Sequence, residues 1–245
     1  MSSSRKIFYN LFILNLAVLV LPFFISCSKS DTAMPTASNI QLQVANLSPD
    51  SYPVGLYINN IKVNPNYVFN ATPAYFYLTN TNYPLQIRTS RVNDTNIVYS
   101  RDTINFQPNT RYTLFFTGLY SDKSLRSIVT VDDTATIPAI GKGGKIRFLN
   151  ASPRSNPIDI WANGTLAYKN IAYTTLSNYI TLPAGNYNFK VYPTGTSTSS
   201  LADLNKVTIQ DGRLYTLYSR GLVGRSLTDT AAFGLVIVPN NPPKI

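Results

Sequence analysis

The sequence contains no histidine and no glutamate, and it has a single cysteine. Histidine is the commonest general base, the commonest metal ligand and the usual partner of a nucleophilic serine or cysteine, so most hydrolase triads are excluded. An enzyme would need aspartates that only folding brings together. We therefore expect a protein that is not an enzyme and that holds no metal and no cofactor.

Charged residues make up only 13% of the chain, whereas 44% are hydrophobic and 12% aromatic. Glutamate is common on the exposed side of long helices, so its absence predicts little helix. Abundant Asn, Thr, Ser and Tyr suit exposed sheet faces and turns. The formal net charge is +10, but the basic residues, Arg147 among them, are scattered, which indicates a diffuse surface charge and no nucleic-acid partner.

Residues 1–26 have the layout of a secretion signal peptide, with Arg5 and Lys6 ahead of a mostly apolar run over residues 7–24. Ser26 followed by Cys27 resembles the lipobox of bacterial lipoproteins, which implies that Cys27 is acylated, for example by palmitate. Two alternatives stay open: an uncleaved membrane helix, and a Cys27 that is merely a buried thiol.

A small polar stretch over residues 27–38 is typical of a flexible tether behind a lipidated cysteine. Ser28 stands where inner-membrane lipoproteins of enteric bacteria carry Asp, which favours the outer membrane. We expect a cell-envelope protein held on the membrane through its N-terminal lipid, on either the periplasmic or the surface side.

An internal repeat divides the remaining chain into two domains. Residues 46–59 reappear 104 residues later as residues 150–163, and Tyr75 and Gly118 have counterparts in Tyr179 and Gly221. Glycines cluster between the copies. The predicted domains are residues 39–140 and 145–245.

Apolar residues alternate with polar ones in short segments closed by Gly, Pro, Asn or Asp, as in Ile158, Ile160 and Ala162 before the turn at Asn163 and Gly164. This pattern predicts an all-β protein with two tandem Ig-like or Greek-key β-sandwich domains of about seven strands each.

Residues 149–163, 178–191 and 214–222 resemble the domain of unknown function number 4397, and the first copy resembles it more loosely through residues 47–59 and 111–118. Members are secreted or lipid-anchored proteins of the bacterial envelope, and the resemblance implies no known activity. Asn46 and Asn150 replace a His that is frequent in this family, so any role of that His is absent here.

Several residues are candidates for modification or binding. Tyr57 and its counterpart Trp161 are core or rim anchors, or alternatively an aromatic sugar-binding face. Asp159 is expected to point to solvent or to lie on an edge strand. Asp-Thr followed by a small or branched apolar residue resembles an O-glycosylation acceptor of exported Bacteroidota proteins. It occurs at four threonines, Thr32, Thr103, Thr134 and Thr230.

The sequence favours a binding or presentation module for glycan or envelope-protein partners. The alternative is a structural, assembly or adhesion subunit that acts through sheet edges. Asp132 and Asp133 are poorly placed as an acid–base pair, because adjacent side chains of a strand face opposite ways. Without regular Asp spacing, they are equally poor as a calcium site.

Overall fold

A computed structural model describes residues 39–63, 65–71, 73–78, 84–89, 104–132 and 136–240, together with the backbone of residues 98–102. These parts of the chain form strands and no helix, so none of them could span a membrane as a helix.

The first repeat contains β1 (Gln41–Asn46), β2 (Val54–Ile58), β3 (Ile61–Lys62), β4 (Phe76–Tyr77), β5 (Leu85–Thr89), β6 (Val98–Asp102), β7 (Arg111–Thr117) and β8 (Arg126–Val131). The second contains β9 (Gly144–Asn150), β10 (Ile158–Ala162), β11 (Thr165–Ile171), β12 (Ile180–Leu182), β13 (Gly185–Pro193), β14 (Ala202–Ile209), β15 (Leu214–Arg220) and β16 (Gly234–Pro239). The described residues of each repeat thus form eight strands, one more than the seven or so expected.

Each repeat is a sandwich of two four-stranded sheets with the same strand order. We call β4-β1-β7-β8 and β12-β9-β15-β16 the inner sheets, and β3-β2-β5-β6 and β11-β10-β13-β14 the outer sheets. In each inner sheet the two central strands pair in parallel, β1 with β7 and β9 with β15, whereas all other strand pairs are antiparallel. The predicted all-β fold with two sandwich domains is confirmed.

Alternating apolar side chains fill the space between the sheets of each repeat. In the first repeat, Leu42 and Val44 of β1 meet Leu56 of β2. In the second, Phe148 of β9 meets Ile160 of β10 and Phe189 of β13. The period-two pattern of the sequence therefore identifies the core of each sandwich correctly.

A third apolar cluster joins the two inner sheets face to face. Its buried members are Ala45, Leu47, Phe115, Leu149, Ala151, Tyr218 and Val238. Equivalent positions complement one another in size: Ala45 has Leu149 as its counterpart, and Leu47 has Ala151. The four sheets form one stack in the order outer, inner, inner, outer. The central strands of the inner sheets are therefore buried on both faces, namely β1, β7, β9 and β15.

Candidate ligand-binding cleft

The repeated Asn-x-Ser-Pro motif is a structural hub. Asn150 Oδ1 accepts hydrogen bonds from Ser152 N (3.3 Å) and from Ser219 Oγ (2.8 Å), while Asn150 Nδ2 donates to Ile171 O (3.0 Å). Asn46 repeats two of these contacts in the first domain, with Ser48 N and Tyr67 O. Both asparagines are fully buried. The motif therefore fixes backbone around each inner sheet and is not a ligand loop.

This hub also holds the turn at the end of β15. Ser152 Oγ donates to Gly221 O over 2.6 Å. Gly221 has a φ of 70°, and a Cβ atom there would overlap the carbonyl oxygen of Ala232. Gly118 is the equivalent residue after β7 and is equally crowded by Ser124 O. The two glycines recur because neither turn accommodates a side chain.

A cleft of about 480 Å³ opens beside Gly221, between the two repeats. The first repeat contributes Phe69 and Asn70, and the second contributes Arg220 and residues of the loop 221–233. Hydrogen bonds within that loop hold its shape, since Leu222 N donates to Ala231 O and Ala231 N to Asp229 Oδ1, both over 2.8 Å. The volume lies in the range of small-ligand sites, and the wall is preformed.

Arg220 is the one cation among the described residues that line this cleft. Its Cζ atom lies 5.8 Å from the ring centroid of Phe69, and Nη1 donates to Ala232 O over 3.3 Å. Nε is buried and has no hydrogen-bond partner among the described residues. Burial lowers the pKa of Arg220, with the neighbouring Tyr218 acting in the opposite direction. The guanidinium is thus held in place by its surroundings but incompletely hydrogen bonded.

Sequence reasoning missed Arg220. Its counterpart in the first repeat is Thr117, because each residue directly precedes the repeated glycine, Gly221 or Gly118. The signal that could have identified Arg220 is this break in the repeat, where a small polar residue becomes a long cation at a position that packs between domains.

A buried ion pair connects the two repeats. Arg147 Nη2 lies 2.6 Å from Asp132 Oδ1, and the two side chains are 3% and 0% exposed. Thr113 Oγ1 and the Tyr75 hydroxyl donate to Asp132 Oδ2 over 2.6 and 2.7 Å, and Thr130 Oγ1 donates to Oδ1. Burial raises the pKa of Asp132, and Arg147 opposes that rise. The expectation that Arg147 belongs to a diffuse surface charge was wrong.

The contacts around this pair are reciprocal. The Tyr75 hydroxyl of the first repeat, which donates to Asp132 Oδ2, also lies 3.2 Å from Asn240 O of the second repeat. Its counterpart Tyr179 donates to Asp132 O of the first repeat over 2.9 Å. Asp132 and Asn240 are themselves equivalent, since their amides close the inner sheets at Arg111 O and Leu214 O. The repeats therefore meet as an isologous dimer would, through the same surface on both sides.

A family model described as a domain of unknown function (DUF4397) matches residues 40–142 and again residues 144–243. The chain belongs to the DUF4397 family. Both copies of the predicted tandem domain are thereby confirmed. No curated protein matches the chain.

The structure does not bring Tyr57 and Trp161 together. Each lies on the outward face of the outer sheet of its own DUF4397 domain, at opposite ends of the four-sheet stack. The Tyr57 ring is covered by Arg88, whose Cζ lies 4.5 Å from the ring centroid, and Trp161 packs edge-to-face on Tyr192 at 6.1 Å. They are two separate half-buried positions and form no common aromatic face.

Asp159 corrects another expectation, because it faces neither solvent nor an edge. β10 lies between β11 and β13, and Asp159 is only 3% exposed. Its carboxylate accepts hydrogen bonds from Asn170 N, Gly195 N and Thr194 Oγ1, over 2.7 to 3.0 Å. The prediction failed because these donors come from parts of the chain that alternation within β10 cannot reveal.

The remaining predicted site residues are scattered or lie outside the described residues. Cys27, Thr32, Thr103 and Thr134 are outside them. Thr230 is exposed and lies at the rim of the cleft. Within the described ranges, no three His, Cys, Asp or Glu side chains are grouped so that they could hold a metal ion.

Proposed function

We propose that the protein is a non-enzymatic lipoprotein of the cell envelope, anchored through Cys27, whose two DUF4397 domains bind a glycan in the interdomain cleft. The observation that carries this proposal is the preformed cleft around Arg220. Its wall combines the hydroxyls of Thr228 and Thr230 and the Asn70 amide with the apolar side chain of Leu227. Sugars present the same mixture of hydroxyls and apolar ring faces, and apolar walls with a few placed polar groups are typical of ligand sites.

Asp229, the one carboxylate among the described residues that line the cleft, is poorly placed for catalysis. Asp229 Oδ1 accepts a hydrogen bond from Ala231 N, and Oδ2 lies 3.5 Å from Arg225 Nη1. Glycoside hydrolysis needs a pair of carboxyl groups on either side of the scissile bond. With no histidine in the chain either, this geometry supports binding as the function.

Two features of the sequence support the envelope location: the signal-like layout before Cys27 and the absence of Asp at position 28. The test is the intact mass of the protein from its native membrane fraction, measured beside a Cys27→Ala variant. We expect loss of residues 1–26 and an added acyl mass on the wild type alone. A full-length, unacylated wild-type chain would contradict the lipoprotein assignment.

Glycan binding is tested on a glycan array with the full mature protein purified in detergent. We expect a set of retained saccharides, and loss of that signal in the paired variant Phe69→Ala with Arg220→Ala. Trp161→Ala is the matched control for an aromatic residue outside the cleft. Signal lost with Trp161→Ala but kept by the cleft variant would place sugar binding on the outer sheet. No retained saccharide would contradict glycan binding and leave a protein partner as the candidate.

Assembly through sheet edges is the alternative, and β14 offers it little support. The pairing of β13 with β14 is interrupted between Tyr187 and Phe189, and Lys206 of β14 has a φ of 59°. A bulge and a lysine on an edge strand both hinder the addition of another strand. Sedimentation over a hundredfold range of concentration checks this alternative, and we expect no filaments or growing oligomers.

A further inference from the structure

The reciprocal packing of the repeats creates two equivalent places at the domain boundary, and they differ. In one, the Thr117 hydroxyl lies 3.4 Å from the Tyr173 hydroxyl and donates to Ala151 O over 2.7 Å. In the other, Arg220 replaces Thr117 and Phe69 replaces Tyr173. The first place is closed by hydroxyl contacts, whereas in the second an arginine occupies the position of Thr117 and a cleft is open.

The arginine at each place comes from a different strand of the inner sheet. In the closed place, Arg126 of β8 lies over Tyr173, with Cζ 5.8 Å from the ring centroid. Its counterpart in β16 is Gly234, since Arg126 pairs with Thr117 and Gly234 with Arg220. A Cβ atom on Gly234 would lie 3.4 Å from Arg220 Nη2. Because Gly234 has no side chain, the Arg220 guanidinium can lie against the backbone of β16 on one side and face the Phe69 ring on the other.

Arg220 lacks the counterion that two other interdomain arginines, Arg147 and Arg154, have. Arg147 pairs with Asp132, and Arg154 with Asp122 over 2.7 Å. Among the described residues Arg220 forms no ion pair, and the nearby Asp229 pairs instead with Arg225. A half-buried guanidinium without an anion and with an unsatisfied Nε is costly, because desolvation is not compensated. An anionic ligand would supply the missing counterion and could accept a hydrogen bond from the guanidinium.

We infer that the cleft recognises the carboxylate of an acidic sugar, a hexuronate, through the guanidinium of Arg220. This inference rests on the proposed glycan-binding function and names the chemical class of the ligand. The planar guanidinium matches a carboxylate in geometry and charge. Thr228, Thr230 and Asn70 also line the cleft and carry groups that can hydrogen bond to sugar hydroxyls. Leu227, which is 88% exposed, offers an apolar contact there.

The charge of the cleft favours a monoanion over a phosphate. Arg220 and Asp229 are both part of the lining. A phosphate monoester approaches a charge of −2 at neutral pH, so Asp229 would repel it more strongly than a carboxylate. Asp229 can instead accept a hydrogen bond from a sugar hydroxyl. Recognition therefore needs one negative charge next to several hydroxyls.

The test uses the full mature protein in detergent micelles, labelled with nitrogen-15, titrated with sodium glucuronate. The Nε–Hε signal of Arg220, assigned by its disappearance in Arg220→Lys, reports directly on the guanidinium. We expect a saturable shift of that signal. Glucose and the methyl ester of glucuronate, which keep the ring but lack the charge, should bind at least about tenfold more weakly, since a hydrogen bond to a charged group contributes about 1.5 to 3 kcal/mol.

Arg220→Gln should weaken glucuronate binding by a factor of about ten or more, measured by isothermal titration. The matched control is Arg126→Gln, which removes the arginine that lies over Tyr173 in the closed place and should leave affinity unchanged. Thermal melting of each variant verifies that the fold persists. Equal loss in both variants would overturn the assignment of the site to Arg220.

The outcomes separate this inference from the proposed function. If glucose shifts the Arg220 signal as strongly as glucuronate, the cleft binds neutral sugar, and only the carboxylate inference fails. If acetyl-alanine, a model of a peptide C-terminus, binds more tightly than glucuronate, the ligand is a peptide and the inference fails. If no saccharide binds here or on the array, the proposed glycan-binding function fails as well.

Discussion

Asp159 is a carboxylate whose environment works in two directions. Burial by itself would raise its pKa, but the amides of Asn170 and Gly195 and the hydroxyl of Thr194 outweigh burial and hold the pKa below its usual value. The unfolded-state pKa is about 3.9. The ionised group therefore stabilises the fold fully above that pH, and this contribution is lost as the pH falls through the lower folded-state pKa.

We expect Asp159→Asn to lower the free energy of unfolding at pH 7 by about 2 kcal/mol, because the amide cannot accept all three hydrogen bonds as the carboxylate does. The difference between variant and wild type should shrink towards pH 3. Urea denaturation at pH 7, 5 and 3 measures it. Asp203→Asn, which removes an exposed partner of Lys190, serves as the control and should have little effect. A pH-independent difference would contradict the role given to the charge.

At the residue scale, sequence patterns identified what the core requires but not what the polar residues do. The alternation of Ile158 and Ile160 predicted their burial correctly. The intervening Asp159 obeys the same alternation but finds its donors through the bulged pairing of β10 with β11 and the turn after β13. Such donors depend on register shifts and long-range pairing, which a local pattern does not encode.

The turns are the elements that the sequence specifies best. Asn163 and Gly164 were predicted as a hairpin turn, and they connect the paired residues Ala162 and Thr165 with φ values of 47° and 80°. Both values are positive, as a two-residue type I′ turn requires. The repeat identified Gly221 as a recurring residue. It did not explain why glycine is needed there, because the atom that excludes a side chain belongs to Ala232.

This difference between the two glycines gives a prediction for the β15–β16 connection. Gly221→Ala should cost at least about 1 to 3 kcal/mol, since a positive φ is combined with overlap against backbone. Gly164→Ala is the matched control. Its φ is also positive, at 80°, but no atom lies within 4 Å of the added Cβ. It should therefore cost only the strain of the backbone conformation, about 1 kcal/mol.

Urea midpoints of the two glycine variants decide the comparison. Because the loop 221–233 forms the cleft wall, Gly221→Ala should also lower the affinity of the cleft for its ligand. Gly164→Ala should leave that affinity unchanged. Equal destabilisation by both substitutions would mean that a small shift of the loop relieves the crowding between the added Cβ at position 221 and Ala232 O. The turn would then not hold the cleft wall in place.

At the scale of the whole molecule, the two repeats pack into one continuous stack of sheets and are not two independent domains joined by a linker. The sequence contained a sign of this arrangement. Leu114, Phe115 and Phe116 are consecutive apolar residues in β7, and all three are fully buried. A continuous apolar run is typical of a strand covered on both faces. The sequence did not predict which surface covers the second face of β7, because that surface belongs to the other repeat.

The buried ion pair between Asp132 and Arg147 allows the coupling between the two repeats to be measured as a change in stability. Removing one partner of a buried pair leaves an uncompensated charge and costs about 3 to 5 kcal/mol, whereas removing both can be nearly neutral. We therefore expect Asp132→Asn and Arg147→Met each to lower stability strongly, and the double variant to recover much of the loss. Calorimetry of the four proteins gives the coupling energy.

The exposed interdomain pair of Arg154 and Asp122 provides the matched comparison, since its side chains are 65% and 31% exposed. Asp122→Asn should scarcely change the melting temperature. Because the apolar cluster around Phe115 and Tyr218 is shared by both repeats, the wild type should unfold in a single transition. Loss of the ion pair should shift that transition to lower temperature without dividing it. Two separated transitions in the wild type, or additive effects of Asp132→Asn and Arg147→Met, would mean that the domains fold independently and that the cleft between them is not a fixed site.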